Sequence, residues 1–406
     1  MSEIATRPQD VGFCSDRLER IATWMQQQVA GGRLAGIEVM INRRGRTAFH
    51  RCHGKRDLAR GRGATPDTIY RIYSMTKPLT AVAAMMLYEE GRFQLDDPIA
   101  RYLPEFAGQR VFAAGGYGAV VTEPAVRDIS FRDLLTHTSG LTYAFMQATP
   151  VDAMYRAQKI EMPGSTEPLG EIIARLAKLP LIAQPGTEWN YSIASDVLGH
   201  LIAVISGQPF DAFLRERVIA PLGMADTDFF VPSDKVNRFA ANYDKGPDGR
   251  PRLLDDPETS PFLSPPKAPS GGGGLVSTAR DYMRFCEMLL ARGRCGNERL
   301  LGRKTVELMT MNHLDGDMAA MGQPRFAESN YHGIGFGLGF SVTLDPARAQ
   351  IVGSPGEFAW GGMASTAFWV DPREEMAAVM MTQLTPSSTY PVRRELRVLA
   401  YQAVID

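Results

Sequence analysis

A serine and a lysine three residues apart, Ser74 and Lys77, begin an apolar run that reads SMTKPLTAVAAMMLYEEG. Residues three apart on a helix are neighbours, so the Lys77 amine can approach the Ser74 hydroxyl. Burial and the positive end of the helix dipole both disfavour an ammonium ion, which favours a neutral amine that can accept a proton. The N–H of Ser74, in the first turn, could stabilise an oxyanion. The pair is therefore either a nucleophile with its own base, or a capping serine beside a lysine that extends to solvent.

Short spacings of this kind also arise by chance, and a second Ser-x-x-Lys occurs at Ser264 and Lys267. The two residues between them are prolines, which preclude an ordinary helical turn and leave the geometry of the pair unspecified. Ser264 is therefore predicted to lie in a loop, without a catalytic role.

The run after Ser74 predicts a buried helix. Apolar residues at positions 79, 82, 83, 86 and 87 match the spacing of one helix face, and those at 81, 84 and 85 make the helix hydrophobic nearly all round. Pro78 suits a first turn, and Gly91 suits the position just after a helix end. Ser74 is therefore predicted to stand at the N-terminus of a central helix.

Other segments indicate the elements around this helix. Residues 15–30 have helical spacing with Ser15 as a candidate cap, and two strand-like runs that meet at Arg44-Gly45 predict a hairpin. Helical segments dominate roughly 80–325, and strand-like runs return after about residue 335. These late runs are GFGLGFSVTL, EFAWGG, STAFWVD and MAAVMMTQL.

This order predicts a mixed α/β fold, in which an antiparallel sheet built from both termini is flanked by helices and carries an inserted, mostly helical region. Residues 1–80 and 326–406 are assigned to the sheet domain, and residues 81–325 to the helical region.

Composition narrows the functional classes. The 406 residues carry 44 Lys and Arg against 45 Asp and Glu, a net charge of −1, so no basic field exists to bind nucleic acid. The four cysteines, Cys14, Cys52, Cys286 and Cys295, show neither a CxxC pair nor a metal-ligand spacing, which indicates free thiols. The amino-terminal residues do not resemble a secretory signal, and no apolar stretch is long enough for a membrane span. We expect a cytoplasmic protein without metal or cofactor.

Several ordered motifs resemble the serine β-lactamase and penicillin-binding protein superfamily, and most closely the class C β-lactamase-like esterases called family VIII carboxylesterases. The likeness extends over about residues 15–385. It is carried by SMTK (74–77), LDDPIARYLPEF (95–106), LLTHTSGL (134–141), PGTEWNYS (185–192), PLGMADTDF (221–229), GGGGLVSTARDYMRF (271–285) and WGG (360–362).

The resemblance implies roles for these residues. Ser74 corresponds to the acylated serine and Lys77 to its partner base. Tyr191 corresponds to the tyrosine of the family's Tyr-x-Asn motif and would relay protons, although a tyrosine preceding a helix cap would look the same in sequence. Trp360, Gly361 and Gly362 occupy the place of a Lys-Thr-Gly strand. The second oxyanion N–H would then belong to Met363.

Two departures from the family pattern shift the expected substrate. Ile193 stands where the superfamily has asparagine, which removes an amide that orients the lysine. Trp360 and Gly361 replace the lysine and the hydroxyl residue that hold a substrate carboxylate in β-lactamases and peptidases, so an anionic substrate loses its main anchor. A neutral ester loses nothing.

Two other features carry less weight. His137 is interpreted as a structural hydrogen-bonding residue, and the glycines 271–274 as a loop near the cleft, since they form no phosphate-binding motif.

The sequence thus predicts a serine hydrolase that cleaves small-molecule carboxylic esters through an acyl-enzyme on Ser74. The alternatives are an acyltransferase that uses the same intermediate, a weak β-lactamase or D,D-peptidase, and an inactive scaffold of the same fold. No nucleic-acid or membrane partner is expected, and the oligomeric state is left open.

Overall fold

The computed structural model describes residues 7–162, 164–323, 325–326 and 329–406. Its central feature is an antiparallel sheet whose strands come from both ends of the chain. They are β1 Gly36–Arg43, β2 Arg46–Asp57, β3 Arg62–Gly63, β4 Ile334–Phe336, β5 Ser341–Thr343, β6 Phe358–Gly361, β7 Ala367–Asp371 and β8 Met376–Thr382. The spatial order is β4-β5-β6-β7-β8-β1-β2-β3, so the early hairpin joins the late strands along β1 and β8. The predicted sheet and its origin in both termini are confirmed.

The hairpin turn lies where the sequence placed it. Arg44 and Gly45 separate β1 from β2, and both adopt a positive φ, 53° and 70°. Such left-handed pairs match the twist of the two strands they connect, and glycine reaches this conformation without strain.

Helices cover the sheet and fill the middle of the chain. The described residues form α1 Ser15–Ala30, α2 Thr76–Glu89, α3 Phe131–Thr136, α4 Pro150–Ala157, α5 Leu169–Leu176, α6 Ala194–Ser206, α7 Phe210–Leu214, α8 Ala279–Leu290, α9 Arg303–Met309, α10 Pro346–Ala349 and α11 Val392–Tyr401. In this part of the chain no single helix is long and apolar enough to cross a membrane. A bent pair, Ala194–Ser206 with Phe210–Ile219, meets that test by length and composition alone.

Both faces of the sheet are buried. Alternate side chains of each strand point to opposite sides, and each set packs into a different hydrophobic cluster. In β8, Ala378 and Met380 join a cluster with α1 and α11. Ala377 and Val379 face the other way and join the large cluster that contains α2, α6 and α8. This second face is where the sheet meets the helical region.

The helix α2 lies at the centre of that region. Every residue from Thr76 to Leu87 is buried, as the all-round apolar sequence predicts, and α2 packs on α6. Gly91 follows the helix end with φ 69° and donates its N–H to the Tyr88 carbonyl. The central, buried position of this helix is confirmed.

Two expectations differ from the structure. Ser15 is the first residue of α1 and makes no capping bond, since Cys14 holds the cap position. The described middle of the chain also contains hairpins that the sequence analysis did not predict. They are Arg110–Gly116 with Ala119–Pro124, Asn242–Lys245 with Pro251–Asp255, and the short Arg294–Cys295 with Glu298–Arg299.

The division into two domains at residues 80 and 325 remains a prediction. A single hydrophobic cluster contains side chains from both the sheet and the helical region.

Candidate active site

Ser74 lies in a short 3-10 turn, Tyr73–Met75, directly before α2. Tyr73 has φ 42°, a conformation that non-glycine residues adopt rarely and at a cost of about 1–3 kcal/mol. Its side chain is held by an edge contact with Phe262 and by a bond from Asn242 Nδ2 (3.2 Å). The helix cap is Met75, with no side-chain capping bond, so the capping role for Ser74 is wrong.

The structure brings the three predicted catalytic side chains together. Lys77 Nζ lies 3.2 Å from Ser74 Oγ, and the Tyr191 hydroxyl donates to the same oxygen at 2.6 Å. Tyr191 reaches Ser74 from the segment before α6, 117 residues further along the chain. Lys77 Nζ lies 4.5 Å from the centre of the Tyr191 ring. Ser74 Oγ thus has two proton carriers within hydrogen-bonding distance.

Lys77 is only 3% exposed, which excludes the lysine that extends to solvent. Its amine donates to the Gly272 carbonyl at 2.7 Å, in the glycine loop 271–274. A neutral amine has both N–H donors and a lone pair. Only in that neutral form could Lys77 hold this bond to Gly272 and accept the Ser74 proton at the same time.

A residue that the sequence analysis missed, Asp196, fixes the glycine loop. It is 2% exposed, and its Oδ1 accepts from Ser270 Oγ (2.6 Å) and from the Gly272 N–H (3.1 Å). Burial raises its pKa, opposed by the Ser270 bond and the charge of Lys77. A Cβ on Gly272 would lie 2.5 Å from Asp196 Oδ2, so a glycine is required there. The signal in the sequence was the glycine run, which implies close approach of the backbone.

His137 is buried and packs against the ring of Tyr191. It ends α3 in a left-handed conformation (φ 58°), its ring centre lies 5.2 Å from that of Tyr191, and its Nδ1 lies 3.1 Å from Ser192 Oγ. Burial, with a smaller contribution from Lys77, lowers the pKa of His137 well below its ordinary value. The ring is thus neutral at pH 7, and its structural role remains a prediction.

The end of strand β6 and the residues after it form another wall of the cleft that contains Ser74. Trp360 packs on Tyr191, with ring centres 5.6 Å apart. A Cβ on Gly362 would meet the Ile72 carbonyl at 2.3 Å, so this glycine lets the strand end approach the backbone two residues before Ser74. Met363, 41% exposed, lies on the cleft surface. The predicted set 360–363 therefore lines the same cleft as Ser74, whereas the oxyanion role of the Met363 N–H remains a prediction.

The cleft that these residues line has a volume of about 740 Å³ and a mainly apolar surface. Its apolar walls come from Tyr143, Phe145, Ile160, Met162, Tyr331 and Trp360. A space of this size accommodates a bulky acyl or alcohol group.

Outside the cleft, the described residues contain a group whose donor atoms could hold a metal ion, Glu38, His50 and Cys52. Strand pairing brings them together, since Glu38 faces Cys52 across β1 and β2. None of them lines the cleft, and His50 Nε2 lies 2.8 Å from Glu38 Oε1, so each occupies a ligand atom of the other. Ser264 likewise lies in a loop away from the cleft wall.

Known proteins resemble this chain over most of its length. The family model described as Beta-lactamase matches residues 21–402. The chain belongs to the beta-lactamase family.

Within this family, the chain is similar to esterases and acyltransferases. Esterase EstB of Burkholderia gladioli is 32% identical over 92% of this chain and 91% of its own length. Monacolin J acid methylbutanoyltransferase of Aspergillus terreus is 29% identical over 95% of both. The solved structure of EstCE1, a hydrolase with promiscuous acyltransferase activity, matches with a TM-score of 0.81 at 29% identity, over 96% of this chain and 99% of EstCE1. The predicted resemblance to β-lactamase-like esterases is confirmed.

Proposed function

We propose that this protein is a carboxylesterase that cleaves small-molecule esters through an acyl-enzyme on Ser74. One observation carries the proposal, namely that Ser74 Oγ lies within 3.2 Å of Lys77 Nζ and 2.6 Å of the Tyr191 hydroxyl on the wall of an apolar cleft. Similarity to Esterase EstB and EstCE1 supports ester hydrolysis as the reaction. No cofactor is needed for this chemistry.

In the first half of the reaction, Ser74 Oγ attacks the ester carbonyl carbon while its proton passes to Lys77. The carbonyl oxygen becomes an oxyanion, for which we assign the N–H groups of Ser74 and Met363 as donors. Collapse of this intermediate breaks the bond to the alcohol oxygen, which takes a proton through Tyr191. The alcohol leaves, and the acyl group stays on Ser74.

In the second half, water takes the place of the alcohol. Tyr191 and Lys77 accept a proton from the water as it attacks the acyl carbon, and the bond to Ser74 Oγ breaks with return of the proton to that oxygen. The products are a carboxylic acid and free enzyme. We expect the protein to act in the cytoplasm, where its four free thiols persist.

An acyltransferase is the second candidate, because an alcohol that attacks the acyl-enzyme instead of water gives a new ester. The similarity to a methylbutanoyltransferase and to EstCE1 favours it, as does a cleft large enough for an acceptor. A residual β-lactamase or D,D-peptidase activity is the weaker alternative, since Trp360 takes the place of the lysine of the carboxylate-binding strand.

Replacement of Ser74 by alanine tests the proposal. Ser74→Ala removes the attacking oxygen and little packing, so hydrolysis of p-nitrophenyl butyrate should fall by about 10⁴-fold or more with unchanged thermal stability. Ser264→Ala, the matched change in the second Ser-x-x-Lys, should keep wild-type rates. Hydrolysis at the wild-type rate by folded Ser74→Ala protein would reject the mechanism.

A further inference from the structure

An aromatic side chain on the cleft wall is half exposed. Phe145 lines the cleft and is 48% exposed, whereas its neighbours on either side, Ala144 and Met146, pack against hydrophobic clusters of the core. The three residues form one 3-10 turn, Ala144–Met146, so the neighbours anchor the backbone that carries the exposed ring. The turn thus holds the Phe145 ring at the cleft surface.

The ring of Phe145 continues a row of aromatic rings that begins beside Ser74. Its centre lies 4.7 Å from that of Tyr143, and the angle between the two planes is 22°, which makes a stacked pair. The centre of the Tyr143 ring lies 5.3 Å from that of Tyr191 and 5.3 Å from Lys77 Nζ. A substrate whose carbonyl carbon lies at Ser74 can therefore extend an apolar group along this row to Phe145.

The loop that carries Tyr143 and Phe145 is fixed by polar contacts from α4. Besides its part in the capping box of α4, the fully buried Asp152 accepts from Thr142 Oγ1 at 2.8 Å and from the Ala148 N–H at 2.7 Å, at the two ends of the loop. Arg156 donates to the Ala144 carbonyl at 2.5 Å, in the middle of the loop. The ring is therefore presented in a fixed orientation, so a ligand that packs on it orders little further structure.

We propose that Phe145 binds an aromatic ring of the ester substrate, so that the preferred substrates are esters that carry such a ring several bonds from the ester carbonyl. The inference rests on the proposed esterase function and specifies its substrate class. An aromatic ring suits the exposed part of Phe145 because offset or edge contacts between two aromatic rings add an attraction beyond the burial of apolar area, whereas an aliphatic ring gains the burial alone. The cleft, with a volume of about 740 Å³, has room for this ring.

Two matched pairs of esters test this and show which part of the substrate carries the ring. In the acyl pair, p-nitrophenyl 4-phenylbutanoate is compared with p-nitrophenyl 4-cyclohexylbutanoate. In the alcohol pair, 3-phenylpropyl butanoate is compared with 3-cyclohexylpropyl butanoate, and the release of butanoic acid is followed by titration. The readout is the ratio of kcat/KM for the phenyl ester to kcat/KM for its cyclohexyl partner, which cancels effects on general activity.

Phe145→Leu keeps an apolar side chain but removes the ring, and should lower this ratio in at least one pair by about 2- to 12-fold, as expected for the loss of an aromatic pair. Phe145→Trp keeps an aromatic surface and should retain most of the ratio. Tyr117→Leu is the matched control, because Tyr117 is an aromatic residue that is 68% exposed and does not line the cleft. This control should leave the ratio unchanged.

Ratios that change no more in Phe145→Leu than in Tyr117→Leu, for both pairs, would overturn the inference. So would a loss in Phe145→Trp as large as that in Phe145→Leu, because the effect would then not depend on an aromatic ring. Failure of the esterase proposal itself is distinct, because the wild-type protein would then hydrolyse neither the phenyl nor the cyclohexyl esters.

Discussion

At the scale of single residues, Lys77, the base that we propose for Ser74, is held by contacts that extend beyond the side chains touching it. Lys77 bonds the Gly272 carbonyl, and Asp196 bonds the N–H of the same residue. Asp196 lies in the first turn of α6, three residues after Ile193 and five after Tyr191. Where the superfamily's asparagine is absent, Asp196 thus orients Lys77 through the backbone of Gly272. We regard it as a positioning residue.

Asp196→Ala should therefore lower kcat for p-nitrophenyl butyrate by about 10²-fold, because the released Gly272 carbonyl no longer orients the Lys77 amine. Asp196→Asn keeps an oxygen that can accept from Ser270 and Gly272, and should recover most of the rate. Steady-state kinetics with Asp234→Ala, an exposed acid on a distant turn, provides the control. Equal losses in the alanine and asparagine variants would show that the charge acts directly and that positioning is not the cause.

At the scale of elements, sequence patterns predicted those segments that bury one or all faces. The helices at 15–30, 76–89 and 194–206 and the late strands carry clear apolar periodicity, and each is present. The hairpin at residues 110–124 was missed because it lies on the surface and most of its residues are exposed, so no alternating apolar pattern marks it. Asp196 was missed for a related reason, since its function depends on the docking of a loop 74 residues away.

The burial of His137 at the end of α3 predicts how the stability of the protein depends on pH, because burial holds the pKa of His137 well below its ordinary value. Between this lowered pKa and the unfolded value near 6.5, the unfolded chain binds more protons than the folded protein. The free energy of unfolding should therefore fall as the pH drops below about 6.5, by up to about 1.4 kcal/mol per pH unit from this residue.

Urea unfolding of the wild type and of His137→Asn between about pH 7.5 and 5 measures this effect. Asparagine tolerates the left-handed backbone and offers an amide towards Ser192, but it does not titrate. The variant should lose stability less steeply than the wild type as the pH falls, whatever its stability at pH 7.5. Identical slopes would mean that His137 binds protons equally in both states, contrary to its burial.

At the scale of the whole molecule, the site lies where the sheet from both chain ends meets the helical region. Ser74 and Lys77 come from the start of α2, Tyr191 from the segment before α6, and the residues 360–363 from the sheet. The order of motifs along the sequence predicted this set, since a family pattern keeps residues with a shared role in a fixed order. The stacking of Phe145 on Tyr143 could not be predicted in this way, because it depends on how their loop is bonded to α4.

Intact-protein mass spectrometry of an acid-quenched reaction with p-nitrophenyl butyrate tests the acyl-enzyme on Ser74 most directly. Tyr191→Phe removes the hydroxyl to which we assign proton transfer in deacylation, so this variant should accumulate one butyryl group, located by peptide mapping to Ser74. Lys77→Ala should show little adduct because acylation itself fails, and Ser74→Ala should show none. A butyryl adduct in Ser74→Ala of equal yield, or its location at another residue of the Tyr191→Phe protein, would contradict Ser74 as the nucleophile.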